Sequence, residues 1–256
     1  MLAMIFSCPP QRVQRSISTP NNHSGQYLYV VNIGGAVSEY SINSNGTLNS
    51  IGSIGAGTDP FGIAIEATDH YVYVTNNVDG TISEYSIGTG GVLSNIGTIT
   101  ADSGSGVDKI VAEPTGKYIY VTNSTANTVE EFQIGSGGQL TKFGTATPGT
   151  YPRTIIVDHS GKYVYDVDNH ATGSYDTISE FSIGSGGALT PIGTANITSG
   201  TSPFDITLDA TGQFAYVPLL NTNVVAEYSI NPTTGVLTLI GSVATGVAPS
   251  GVATIH

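Results

Sequence analysis

Apolar and polar residues alternate in short runs along most of the chain, and one run returns five times. It consists of an aromatic residue, a spacer, then a second aromatic followed by β-branched or small residues. The copies are Tyr27-Leu28-Tyr29-Val30-Val31-Asn32, Tyr71-Val72-Tyr73-Val74-Thr75-Asn76, Tyr118-Ile119-Tyr120-Val121-Thr122-Asn123, Tyr163-Val164-Tyr165-Asp166-Val167-Asp168 and Phe214-Ala215-Tyr216-Val217-Pro218-Leu219. Their starts lie 44, 47, 45 and 51 residues apart. Period-two alternation bounded by Gly, Asn and Asp predicts strands. A fixed period of this length predicts supersecondary units that bury their apolar faces by stacking on one another.

The second unit shows the expected content. Residues 61–65 read as a short buried strand, the turn at 68–70 leads into Tyr71–Asn76, and the loop 77–80 precedes a third strand over residues 81–87. A Gly-rich hairpin at 88–91 then returns a fourth strand, 92–99. Four antiparallel strands per period predict the blade of a β-propeller, in an all-β fold with no defensible helix. The first unit lacks an innermost strand. Residues 248–255 match such a strand and then stop, so the sequence predicts that the C-terminal strand completes the first blade and closes a five-bladed ring.

Composition narrows the class. Seven basic against nineteen acidic residues give a net charge of −12, which disfavours nucleic acid or an anionic membrane as partner. No apolar run is long enough to span a bilayer. Cys8 is the only cysteine, excluding an internal disulfide and a cysteine-based zinc cluster. Residues 1–22 lie outside the repeat and read as a disordered leader or a misplaced start, leaving 23–256 as a single domain.

The phrases Tyr71-Val72-Tyr73-Val74-Thr75-Asn76 and Tyr118-Ile119-Tyr120-Val121-Thr122-Asn123, each followed by a Ser-Glu-Tyr-like strand and a Gly-Gly-x-Leu hairpin, resemble the YVTN β-propeller repeat. The longer context around Thr115-Gly116-Lys117 resembles the lactonase family of bacterial propellers that includes 6-phosphogluconolactonase-type enzymes. That family usually has seven blades, so the resemblance implies an alternative to closure, an open arc of a seven-bladed propeller. It also implies a lactone hydrolase, a carboxylic ester hydrolase, with His near the start of an innermost strand. Here those positions hold Phe61, Asp108, Arg153, Phe204 and Ser250.

Chemistry is expected where the pattern breaks on the face bearing the inner-strand starts and the loops between second and third strands. The fourth unit breaks it most, because the stretch from Asp166 to Glu180 is four residues longer than its counterpart in the second unit. This loop gathers Asp168, His170, Tyr175 and Asp176 with Asp166 at its base, a set that suits a general base or an oxygen-rich divalent-cation site. No metal-loop spacing is present, and no cofactor or metal is assigned. Arg153 lies at the inner-strand start of the same unit, with Asp108 and Lys109 at the matching place in the third and Asp205 in the fifth. Arg153, His170 and Asp168 are the catalytic candidates, with Arg153 orienting an acidic substrate group and His170 or Asp168 activating water. Asp108, Lys109, Asp166, Tyr175, Asp176 and Asp205 are the ligand-binding candidates.

Glu39, Glu84, Glu131, Glu180 and Glu227 recur at one place in every third strand, with too few cations to pair them. Burial without partners would cost several kcal/mol each, roughly, so they are expected to be exposed or held by hydroxyl and backbone donors. Three functional readings follow. The first is a non-enzymatic binding or scaffold propeller, exported or surface-associated and monomeric, with a small-molecule or protein ligand at the mouth. The second is a lactonase-like hydrolase, and the third is a fragment of a larger propeller; a cytoplasmic location is the alternative to export.

Overall fold

A computed structural model describes residues 26–101, 104–169, 176–197 and 201–254. Residues 1–22 lie outside them. The chain forms β1 (Tyr27–Asn32), β2 (Ala36–Ile42) and β3 (Leu48–Gly55), then β4 (Pro60–Ile65), β5 (Tyr71–Asn76), β6 (Thr81–Ile87) and β7 (Leu93–Thr100). The third unit comprises β8 (Val107–Ala112), β9 (Tyr118–Asn123), β10 (Thr128–Ile134) and β11 (Leu140–Ala146). The fourth comprises β12 (Pro152–Val157), β13 (Tyr163–Asp168), β14 (Thr177–Ile183) and β15 (Leu189–Asn196). The fifth has a two-residue β16 (Thr207–Leu208), then β17 (Phe214–Leu219), β18 (Val224–Ile230) and β19 (Leu237–Ala244). Among the described residues all pairings are antiparallel between chain neighbours, giving one three-stranded and four four-stranded sheets in which the first strand of each four forms an edge. Edge strand β4 packs on β8 and β8 on β12, so these strands line the inner side of an arc of blades.

The recurrent phrase is what joins one blade to the next. Its second tyrosine reaches across each junction and donates its hydroxyl to a hairpin carbonyl of the following sheet: Tyr29 to Gly91 at 2.7 Å, Tyr73 to Gly138 at 2.7 Å, Tyr120 to Gly187 at 2.7 Å and Tyr165 to Gly235 at 2.8 Å. The first tyrosine of the phrase lies on the same glycine; a Cβ at Gly187 would fall 2.5 Å from the Tyr118 ring. These glycines also sit at positive φ, so two separate constraints exclude other residues there.

The repeated glutamates complete the junction. Oε1 of Glu39, Glu84, Glu131 and Glu180 accepts the backbone N–H of Leu93, Leu140, Leu189 and Leu237, each in the following blade, at 3.3, 2.8, 2.9 and 3.0 Å. All four are buried and held by a backbone donor, as the shortage of cations required. Burial raises each of their pKa values, and the hydrogen bond from leucine opposes it. A second set of acids, Glu66, Glu113, Asp158 and Asp209, accepts the N–H groups of the turn before each phrase, for example Thr68 and His70 on Glu66 at 2.7 Å. Much of the acidity is thus structural.

The C-terminal segment departs from expectation. The first sheet has three strands, residues 248–254 form none, and the described residues make an open arc, not a closed ring. The segment lies against the fifth blade. Val252 N–H donates to Asp205 Oδ2 at 3.1 Å and the Thr254 hydroxyl to the Leu208 carbonyl at 2.5 Å. The turn before it is of the kind that begins the fourth unit. Asn223 Oδ1 accepts the N–H of Ala248 at 2.7 Å, as Asn127 Oδ1 accepts that of Tyr151 at 2.7 Å, and both Ala248 and Tyr151 are left-handed, at φ 55 and 62. This device sends the chain one angular step onward, beside the inner edge of the blade just finished. It does not send it back to the first sheet.

Candidate functional site at the inner edge of the arc

The inner-strand starts are built to free side chains from the sheet. Asp59, Tyr151, Ser202 and Gly106 precede them at positive φ, and the pairing register slips between Pro60 and Ile63, Val107 and Ile110, and Pro152 and Thr154. The slipped residues include Phe61, Asp108, Lys109 and Arg153. A bulge of this kind leaves a residue unpaired and re-aims it.

There they meet as one group. Lys109 Nζ lies 5.1 Å from the centroid of the Phe61 ring in the preceding blade, and Arg153 Cζ lies 4.4 Å from that of Phe204 in the following blade. Each cation is therefore steadied by a ring face. Asp108 Oδ1 accepts Asn77 Nδ2 at 2.5 Å, and the Ser124 hydroxyl also bonds this carboxyl. Asp205 accepts the N–H of Ile206 at 3.0 Å and of Val252 at 3.1 Å. Burial raises the pKa of Asp108, against the Ser124 bond and the charges of Arg153 and Lys109, and burial also raises that of Asp205. The Lys109 pKa is lowered, first by burial and also by the like charge of Arg153, with Asp205 and Asp108 opposing. Neither cation is within ion-pair distance of a carboxylate among the described residues, where the ion pair is Lys142 with Glu130 at 3.4 Å. Two half-buried cations without a direct counter-ion can take an anionic or strongly polarised oxygen from a ligand.

The structure thus brings together Arg153, Asp108, Lys109 and Asp205, and separates them from the other candidates. Asp166 and Asp168 are fully buried, on the face of β13 turned towards the third blade. Asp168 Oδ2 accepts the hydroxyls of Thr177 at 2.8 Å and Ser179 at 2.7 Å, where in the second blade Asn76 Nδ2 instead donates to Thr81 and Ser83, each at 2.9 Å. Asp176 Oδ2 accepts the Thr201 N–H at 3.1 Å, its hydroxyl at 3.0 Å and the Ser202 N–H at 3.1 Å, bracketing the start of the fifth unit. His170 and Tyr175 lie outside the described residues. Phe61, Phe204, Asn77 and Ser124 enter the site without having been singled out for it. Their signal was a polar residue directly after the phrase and an aromatic one repeat away from each cation. No group of three or more His, Cys, Asp or Glu side chains suited to a metal is gathered among the described residues, and no helix there is long and apolar enough to cross a membrane.

This architecture is shared with solved proteins. A protein of Bacteroides uniformis described as a "putative 6-phosphogluconolactonase" superposes with a TM-score of 0.79 at 19% identity, over 88% of this chain and 70% of its own. A Lactobacillus plantarum protein matches with a TM-score of 0.78 at 21% identity, over 88% and 70%. The periplasmic gluconolactonase PpgL of Pseudomonas aeruginosa matches with a TM-score of 0.52 at 17% identity, over 87% and 84%. These likenesses concern the fold. No curated protein sequence matches the chain. The family described as "Lactonase, 7-bladed beta-propeller" matches residues 101–173 and 167–254, and the chain, with five of its sheets described, belongs to that family.

Proposed function

We propose that the protein hydrolyses lactones of sugar acids at the inner edge of the arc. The observation that carries this is that two ring-steadied cations, Lys109 and Arg153, share the inner edge with two carboxyl groups whose pKa values are raised, Asp108 and Asp205. Support comes from the family and from the gluconolactonase of similar fold. In this reading Arg153 holds the acidic or phosphorylated end of the substrate, and Lys109 faces the lactone carbonyl. Asp108, flanked by both cations, takes a proton from water as the water oxygen bonds to the carbonyl carbon. Lys109 stabilises the resulting oxyanion. The ring C–O bond then breaks, and Asp108 returns its proton to the departing alkoxide.

Asp168 is fully buried, so Asp108 is the better-placed base. Hydrolysis of δ-gluconolactone and of its 6-phosphate, followed by pH-stat above the spontaneous rate, tests the reading. Wild type should turn over at least one of them, and Asp108→Asn should abolish that turnover without changing Tm. Absence of turnover by wild type would overturn the proposal. An acid limb above the ordinary aspartate range and an alkaline limb below the ordinary lysine range are expected in the kcat/KM profile, from the raised Asp108 and lowered Lys109.

A further inference from the structure

The fourth blade replaces Val by Asp166 and Asn by Asp168, two residues apart on one face of β13, where the second blade has Val74 and Asn76 and the third Val121 and Asn123. Both aspartates have no solvent exposure, and they lie within hydrogen-bonding reach of one another. Among the described residues, both oxygens of Asp166 and Oδ1 of Asp168 have no hydrogen-bond partner, while Asp168 Oδ2 takes the Thr177 and Ser179 hydroxyls. Leaving such groups bare costs several kcal/mol in other proteins, roughly, and something must compensate them. One shared proton satisfies two of the three bare oxygens, one as donor and one as acceptor. A cation between the carboxylates satisfies all three.

We propose that Asp166 and Asp168, with the Thr177 and Ser179 hydroxyls, form a binding site for a hard divalent cation, calcium, at the junction of the third and fourth blades. Carboxylate and hydroxyl oxygens are the ligands such ions select, and soft or imidazole donors are absent from the set. A cavity of about 370 Å³ is lined by Gly149, Thr177 and Ser179, and Gly149 approaches Asp168 so closely that a Cβ there would lie 2.6 Å from Oδ2. The other charged groups on the strands packed around the pair are Arg153 on β12, directed at Phe204, Glu180 on β14, holding Leu237, and Glu130 and Glu131 on β10, bound to Lys142 and Leu189. None of these bonds a bare oxygen of Asp166 or Asp168.

The test uses the full chain stripped with EDTA and returned to chelator-free buffer. Calcium chloride should bind with one-to-one stoichiometry in calorimetry and raise Tm by roughly 5 °C at a hundredfold excess over Kd. Asp166→Val restores the residue of the other blades, so it should fold, lose the heat of binding and show no calcium-dependent rise in Tm. Asp168→Asn should weaken binding at least tenfold. No binding of calcium, magnesium or manganese by stripped wild type would overturn the proposal, as would unchanged calcium binding by Asp166→Val. A wild-type Tm that falls with rising pH and ignores all three ions would instead identify a shared proton. Lactone turnover is not the readout, so failure here is distinct from failure of the proposed hydrolysis.

Discussion

The junction between the third and fourth blades and the two outer faces of the arc contain the same repeated residues in opposite circumstances. Within the junction, Tyr120 reaches the Gly187 carbonyl, the Tyr118 ring covers Gly187, and Glu131 accepts the Leu189 N–H. On the fifth blade, Tyr216 and Glu227 make no such reach among the described residues, and both are partly exposed. On the first, Gly46 has nothing within 4 Å of where a Cβ would stand, and Leu48 is 47% exposed. The phrase is therefore one half of a two-part contact, and its stabilising effect depends on the neighbour, as expected of units that interact with nearest neighbours. Residues outside this contact, the group around Arg153, are free to carry chemistry.

The sharpest way to break the comparison is alanine at the hairpin glycine. Gly187→Ala should cost roughly 3–5 kcal/mol, from left-handed strain, displacement of the Tyr118 ring and loss of the Tyr120 bond. Gly46→Ala, at φ 82 in open space, should cost about 1–2 kcal/mol from the backbone alone. Denaturant midpoints of the two variants decide it, and equal losses would refute a junction role for Gly187.

Arg153→Ala tests the other side of the contrast. Lactone kcat/KM should fall about a hundredfold, some 2.7 kcal/mol, while Tm stays within a degree of wild type. The loss should lie mainly in KM for the phosphorylated substrate, since Arg153 is assigned to its anionic end.

Smaller effects come from the glutamates. Glu131→Ala leaves the buried Leu189 N–H without an acceptor and should cost about 1–3 kcal/mol, whereas Glu227→Ala should stay within about 0.5 kcal/mol. Glu131→Gln keeps an acceptor oxygen and should be the mildest change at this place. Burial raises the Glu131 pKa, so the native state holds its proton more tightly than the unfolded chain. Its contribution is fully present below the unfolded value of about 4.3 and is lost as pH rises through the higher folded value. Glu131→Gln should flatten that part of the stability profile, measured by urea midpoints across the acid range.

The strands were legible because their signal is local. The third strand predicted for the second unit coincides with β6, and the fourth lies within a residue of β7. The partners of the glutamates were not legible, since Glu84 finds its donor at Leu140, in another unit and on a hairpin whose own sequence shows only a turn. The sequence of the C-terminal segment predicts closure of the ring, because it matches an inner strand. Its sequence does match one, but the Asn223 turn places it beside the fifth blade.

At the site, Arg153, Asp108, Lys109 and Asp205 stood out by breaking the repeat, while Phe61 and Phe204 did not, because a phenylalanine at a strand start reads as core. Asp166 and Asp168 break the repeat as Arg153 does, and the sequence predicts them on the same face. In fact β13 turns them the other way, as successive side chains on a strand face opposite sides and the even-numbered face of this strand meets the third blade.

By itself, then, the sequence determined the strand content, the blade unit and the residues that depart from it, all of which follow from periodicity and turn chemistry within some fifty residues. Only the tertiary structure decided which blade each tyrosine and glutamate holds, whether the arc closes, and which aspartates reach the inner edge and which are sealed inside. Those outcomes depend on contacts between units, and such contacts are set by the angle at which one twisted sheet stacks on the next.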